Sequence, residues 1–198
     1  SRVSAITDGL INHTYKLVQA DGQSYIVQRI NTNIFTQPDQ LLQNFESIFE
    51  VLKWHYPLPA LVPTVQGQPY AVIEGEVWRC VSFIENSYTP TGDITPELAY
   101  TTALSFGKYT NLLSAASPAI HVILPRFHDL GFRAAQLLEA KKNATPVRLK
   151  AAAHWLQQFD NYTQLVKQYD YWAKHPSHFP LRMLHHDAKA SNILFDSN

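Results

Sequence analysis

His185-His186-Asp187-Ala188-Lys189-Ala190-Ser191-Asn192 is a polar segment set between the apolar runs Leu181-Arg182-Met183-Leu184 and Ile193-Leu194-Phe195. Two short apolar runs bracketing a charged stretch predict two strands joined by a functional loop. The loop reads HxDxxxxN, and its residue types suit transfer of a phosphoryl group to a hydroxyl. In that chemistry a carboxylate accepts or orients the attacking proton, and an amide oxygen a few residues on holds Mg²⁺ against nucleotide phosphates. Asp187 and Asn192 have that spacing. Lys189 follows closely enough to place positive charge on the transferring group, where negative charge must be stabilised. The competing reading is a polar loop whose His and Asp satisfy nearby backbone groups.

Upstream of the loop, residues 98–114, 130–140 and 149–169 have helical periodicity, the last with Leu149, Ala152, Ala153, Leu156 and Phe159 on one side. Residues 86–97 are rich in Thr, Pro, Gly and Asp, the composition of a connector, and Pro96 is placed to open the next helix. A boundary is therefore expected near residue 86, dividing the chain into 1–86 and 87–198. In the first part, apolar residues alternate around Asp21-Gly22, a dipeptide suited to a tight hairpin turn, which predicts strands over 14–19 and 24–29. After Pro38, Leu41, Leu42, Phe45, Ile48, Phe49 and Leu52 recur at helical spacing. Pro57, Pro59 and Pro63 then interrupt regular structure, and strands are expected over 70–73 and 76–84 with Glu74-Gly75 at their turn. The expected fold class is α+β: a small antiparallel sheet with one packed helix, followed by a mainly helical unit.

At 198 residues and 45% hydrophobic, the chain can bury a core, so a disordered protein is excluded. Lys and Arg number 16 against 16 Asp and Glu, for a net charge of +0, so the basic field of a nucleic-acid-binding protein is missing. Cys80 is the only cysteine, which agrees with a reducing compartment. No apolar run approaches the roughly 20 residues that cross a bilayer, and 1–13 lacks the order of a signal peptide. A soluble, cytoplasmic protein with no membrane or nucleic-acid partner is expected, and its oligomeric state is left open.

Further segments agree in order with the loop: Gly9-Leu10-Ile11-Asn12-His13-Thr14-Tyr15, Tyr25-Ile26-Val27-Gln28-Arg29-Ile30-Asn31, Trp78-Arg79-Cys80-Val81-Ser82-Phe83-Ile84 and Phe127-His128-Asp129-Leu130-Gly131-Phe132-Arg133. Together they resemble the aminoglycoside phosphotransferase and choline kinase family, which shares its core fold with protein kinases. They are most similar to the bacterial N-acetylhexosamine 1-kinase branch. The resemblance implies a protein-kinase-like fold, with 1–86 as nucleotide-binding lobe and 87–198 as a mainly helical lobe carrying the catalytic loop. It also implies ATP- and Mg²⁺-dependent phosphorylation of a small-molecule hydroxyl, with a sugar such as an N-acetylhexosamine as partner.

Within that frame Asp187 and Lys189 are the candidate catalytic residues and Asn192 the candidate metal ligand. Gly9 and Asn12 fall where a turn must let backbone approach phosphates, a task for residues that tolerate unusual φ and offer N–H donors. The segment around Phe83 is expected as the hinge that meets adenine, its alternative being a buried strand. On the third strand the family usually carries a Lys or Arg for the nucleotide phosphates, and here Gln28 and Arg29 stand there on opposite faces. Arg29 is the better chemical match, Gln28 stays possible, and Glu46 or Glu50 would be the cation's acidic partner. His128, Asp129 and Arg133 could converge on sugar hydroxyls, although Asp129 could equally cap the helix that follows.

Two other functions compete. His185-His186-Asp187 and His128-Asp129 could be metal-ligand clusters of a phosphohydrolase, a reading that leaves Asn192 unexplained. A non-catalytic, kinase-like module binding nucleotide or sugar is the other. In the family a second metal-binding Asp lies on a strand just after the loop, and Asp196 follows the apolar run too closely, reading instead as a turn residue. The native protein is accordingly expected to continue past residue 198, and the 198-residue chain to be inactive by itself.

Overall fold

The computed structural model describes residues 1–7, 9, 11–179 and 181–197; Leu10 of the quoted Gly9 segment lies outside them. The hairpin patterning produces five antiparallel strands, β1 (Arg2–Ile6), β2 (His13–Val18), β3 (Ser24–Arg29), β4 (Ala71–Ile73) and β5 (Glu76–Ser82), in the order β1-β2-β3-β5-β4. At the β2–β3 turn, Gly22 adopts φ 90° and the Gln23 N–H donates to Asp21 Oδ1 at 3.0 Å. At the β4–β5 turn, Glu74 and Gly75 both take positive φ, 53° and 80°. That two-residue geometry matches the twist of the flanking strands.

Helix α1 (Pro38–Leu52) covers one face of the sheet, where Leu42 joins Ile30 and Val77 in a buried cluster walled by Phe35, Leu41, Leu61 and Tyr70. Asn44 is also buried on α1, and its amide makes two bonds to His121, donating to the carbonyl at 2.8 Å and accepting from the N–H at 2.7 Å. A buried amide whose two ends meet the N–H and the carbonyl of one residue fixes that segment against the helix without leaving its own polar ends unpaired. Helix α2 (Pro96–Ala116) starts as expected of Thr95-Pro96: the Thr95 hydroxyl accepts from Leu98 N–H and proline fills the first turn. Thr145-Pro146 repeats the device.

The chain divides into two compact units, Ser1–Ile123 with Met183–Asn198, and Leu124–Arg182. The second unit holds α3 (Leu130–Lys142), α4 (Pro146–Asn161) and α5 (Thr163–Ala173). One helix was expected over 149–169. The break falls at Tyr162, φ −100° and ψ 9°, where its N–H tightens to Phe159 O and the Thr163 hydroxyl donates to Asp160 O. Hydroxyl competition for a helical carbonyl is a known local cause of such interruptions.

The strands expected on either side of the octet also differ. Residues 181–184 form no strand; Leu181 is 96% and Leu184 54% exposed, so the apolar run has no surface to pack on. On the far side the chain first makes a 3₁₀ turn, Ala190–Asn192, with Ile193 N–H donating to Ala190 O. Pairing starts later, where β7 (Phe195–Asp196) runs antiparallel to β6 (Ser87–Tyr88), a short strand inside the expected connector. Asp196 is thus a strand residue rather than a turn residue. Among the described residues no helix is long and apolar enough to cross a membrane.

Candidate functional site

The octet is held from both ends. The His185 ring packs against Phe106 and Tyr109 of α2, with centroids 5.1 and 5.8 Å away, and Ala190 is buried at the start of the 3₁₀ turn. Between these anchors His186 takes φ 64°, a conformation uncommon for a residue with a side chain. The reversal leaves Asp187, Lys189 and Asn192 together and exposed. Asn192 Nδ2 donates to both the Asp187 carbonyl and Asp187 Oδ2, each at 2.8 Å, and Lys189 Nζ lies 3.0 Å from the same carboxylate oxygen. The Asn192 amide foremost, then the Lys189 ammonium, hold the Asp187 carboxyl below the usual carboxylate range.

This arrangement suits a cation. Because the Asn192 nitrogen is committed to Asp187, the amide presents its oxygen elsewhere, the end that a hard divalent ion takes. Asn192 and His185 also border a mainly apolar cavity of about 470 Å³, walled by Leu52, Tyr56, Phe106 and Tyr109 among others.

On the sheet, adjacent residues of β3 part company. Gln28 lies directly between Thr14 on β2 and Arg79 on β5 in the strand register. Its Nε2 donates to the Thr14 hydroxyl at 3.0 Å, and its Oε1 accepts from Arg79 Nε at 2.9 Å and Nη2 at 2.7 Å. Arg79 stands between the buried Val77 and Val81 on the face covered by α1, with its guanidinium 5.1 Å from the Phe45 ring centre. Burial lowers its pKa, and among the described residues no carboxylate pairs with it. Arg29 occupies the opposite face, where its Nη1 meets Glu76 Oε1 at 3.3 Å. Neither expected acid is its partner: Glu46 is exposed and Glu50 pairs with Lys53 at 2.6 Å. An acid diagonal on the neighbouring strand is simply nearer to Arg29 than a helix on the far side of the sheet.

The sequence profile of the phosphotransferase enzyme family (APH) matches residues 2–198. The chain belongs to this family. Among solved structures it is similar to the amicoumacin kinase hAmiN in complex with AMP-PNP, Ca²⁺ and Ami, at 16% identity and a TM-score of 0.52 over 84% of this chain and 48% of that one. It is also similar to an aminoglycoside phosphotransferase from Alicyclobacillus acidocaldarius subsp. acidocaldarius DSM 446, at 14% identity and a TM-score of 0.41 over 55% of this chain and 30% of that one. The hAmiN likeness establishes the kinase-like α+β fold, and the chain spans about half the length of that structure.

Other expected site residues of this phosphotransferase-family chain have local partners. A Cβ at Gly9 would meet Asn12 O at 3.7 Å. The Asn12 side chain accepts from Asn31 N–H at 3.0 Å, tying the β1–β2 connection to the end of β3. Phe83 donates its N–H to Ser24 O at 3.3 Å, and its ring lies 3.5 Å beneath the Lys16 ammonium. In the second unit Asp129 is the α3 N-cap, accepting from Phe132 N–H at 2.8 Å, while Arg126 Nε donates to its other oxygen at 2.9 Å. Those two bonds, Phe132 first, lower its pKa. Arg133 donates to Phe127 O at 2.9 Å and Gln136 Oε1 at 2.8 Å, and the His128 carbonyl accepts from the Tyr169 hydroxyl at 3.3 Å.

Among the described residues no three His, Cys, Asp or Glu side chains gather as a metal-ligating group, so neither His-Asp cluster has the donor set the phosphohydrolase reading needs. Arg79, Lys16 and Asn44 went unassigned in the sequence. For Arg79 the signal was present: a cation at the middle of the inward-facing parity Val77-x-Arg79-x-Val81.

Proposed function

We propose that the whole protein transfers the γ-phosphoryl group of ATP to a hydroxyl of a small molecule in a Mg²⁺-dependent reaction, with a sugar such as an N-acetylhexosamine as acceptor. The Asp187–Asn192–Lys189 cluster carries this reading. The acceptor oxygen attacks phosphorus, its proton passes toward the Asp187 carboxylate, and the bond to ADP breaks. A carboxyl with a depressed pKa is ionised throughout the neutral range, which suits it to orienting the hydroxyl more than to abstracting its proton early. Lys189 adds positive charge beside the transferring group. Mg²⁺, when bound, neutralises phosphate charge, and Asn192 Oδ1 is the atom of this chain that would hold it.

In this reading residues 1–86 bind nucleotide and 87–198 carry the catalytic loop, in a cytoplasmic enzyme. The sugar assignment rests on the likeness of the Gly9, Tyr25, Trp78 and Phe127 segments to the N-acetylhexosamine 1-kinase branch. Asp129 and Arg133, though locally bonded, are the proposed sugar contacts, with His128 beside them.

The test is nucleotide turnover by the whole protein against N-acetylhexosamines, aminoglycosides, choline and homoserine. Mg²⁺-dependent turnover of an N-acetylhexosamine is expected. Turnover of choline alone would remove the sugar assignment and leave the kinase one. Nucleotide binding without turnover of any acceptor would favour the non-catalytic module, which the local bonding of Asp129 and Arg133 also accommodates.

A further inference from the structure

The β3 position that the family fills with a phosphate-holding cation is neutral in this chain on the α1 side, where Gln28 stands, and charged only on the opposite side, where Arg29 is matched by Glu76. We propose that Arg79, on β5, is the cation that holds the nucleotide phosphates, and that Gln28 is the positioning residue that aims it. The assignment rests on the nucleotide-dependent phosphotransfer reading above.

Arg79 has what an anion receptor needs and lacks what a structural ion pair needs. It is half-buried between Val77 and Val81, over the Phe45 ring, and among the described residues no carboxylate balances it. A partly desolvated cation left with neutral neighbours is unfavourable in the protein alone and becomes favourable when an anion arrives. The Gln28 oxygen occupies the Nε–Nη2 edge of the guanidinium. The Nη1–Nη2 edge keeps its parallel N–H pair, the fork that phosphate oxygens accept bidentately. Gln28 is itself fixed by Thr14, so the chain Thr14–Gln28–Arg79 across β2, β3 and β5 sets the direction of that fork.

The side of the sheet is right as well. Helix α1 packs on this face through Leu42 and Phe45, α2 packs on α1, and the 3₁₀ turn that ends the octet packs on α2, so continuous packing links the Asp187 segment to the α1 face. Lys16 shares this face, two positions along β2 from Thr14, but its ammonium already rests on the Phe83 ring, and Arg2 shares it from the edge strand β1, two strands away from β3.

The most specific variant is Gln28→Glu, of nearly unchanged shape. It hands Arg79 an internal counter-charge, so the proposal expects ATP affinity to fall at least about tenfold while adenosine affinity stays and the melting temperature does not drop. A purely structural Gln28 would not couple steady stability to lost phosphate affinity. Arg79→Lys should weaken ATP about tenfold as well, because a point charge replaces the fork. A measurement on the unsubstituted chain guards against misfolded variants: phenylglyoxal labelling mapped by peptide mass, where saturating ATP should protect Arg79 and adenosine should not. ATP that binds without protecting Arg79, equal affinity for ATP and adenosine, a Q28E variant that binds ATP normally, or protection of Lys16 from a lysine reagent in place of Arg79 would each overturn the assignment while the nucleotide reading stood. A chain that bound neither ATP nor adenosine would overturn that reading, and this inference with it.

Discussion

The Asp187 octet and the Gln28–Arg79 face of the sheet both carry charge, and they settle it in opposite ways. In the octet Lys189 lies 3.0 Å from Asp187, and both side chains are more than half exposed, at 55% and 61%. On the sheet face the cation is half-buried and meets a neutral amide and an aromatic ring. Exposed groups can be self-matched at little energetic consequence, because water screens the pair and can replace either member. An unmatched cation behind an α-helix is tolerated less well and is the more informative signal of an absent anion. On the proposed function and the Arg79 assignment, the contrast separates a region that exchanges partners during a reaction from one that awaits a single partner.

The largest effect should come from breaking the octet. In the whole protein Asp187→Asn is expected to lower turnover by about 10²-fold or more, with ATP affinity nearly unchanged, as read from kcat and a separate nucleotide titration. Full turnover by D187N would remove the octet from the chemistry. Asn192→Ala sharpens the same point, since it should raise the Mg²⁺ concentration needed for half-maximal turnover.

Much of this arrangement was legible in the sequence, and the misses have physical causes. Hairpins came through because alternation, Asp21-Gly22 and Glu74-Gly75 act within a few residues, and the structure reproduces the expected β3 bounds, Ser24–Arg29. The 181–184 run failed because apolar character predicts a strand only when a neighbouring edge takes its backbone groups. The Asp187–Asn192 proximity followed from spacing, but the role of His185 as an aromatic anchor depends on α2, far away in sequence. The inward parity of Arg79 was legible in Val77-x-Arg79-x-Val81, but its partner was hidden because Gln28 lies 51 positions away.

A second break targets the helix that covers Arg79. Asn44→Ala removes both side-chain bonds to the His121 backbone, so a loss of about 1–3 kcal/mol in urea unfolding is expected for two hydrogen bonds. Because α1 also carries Phe45, the variant should unsettle Arg79 and raise its phenylglyoxal reactivity while leaving the Asp187–Asn192 bonds intact. Unchanged stability would mean that the His121 segment is not pinned by Asn44.

Acid titration tests the octet from the other side. The folded-state pKa of Asp187 is depressed, so its contribution to stability is complete above the ordinary carboxylate value and is lost as pH falls through the lower folded value. No Asp187-dependent change in stability is expected between pH 5 and 8, on the ordinary carboxylate value of about 3.9. The stability difference between the parent chain and D187N should therefore stay constant across that window and shrink only below it, and a difference titrating near neutrality would contradict the Asn192 and Lys189 contacts.

The smallest effect belongs to Arg29 and Glu76, whose contact differs from that of Arg79 in being both matched and wet. Their side chains are 34% and 46% exposed at a separation of 3.3 Å, so solvent screens most of the attraction. Ordering two long side chains offsets part of what remains, which puts exposed pairs of this kind at about 0–1 kcal/mol. A double-mutant cycle of Arg29→Gln and Glu76→Gln in urea unfolding should therefore give a coupling below about 1 kcal/mol. It should shrink further as salt is raised from low ionic strength, since exposed charges are screened over roughly 10 Å at 0.1 M. A coupling above about 2 kcal/mol that ignored salt would place Arg29 in a desolvated setting like that of Arg79. The two faces of the sheet would then no longer differ in the property on which the choice between these arginines depends.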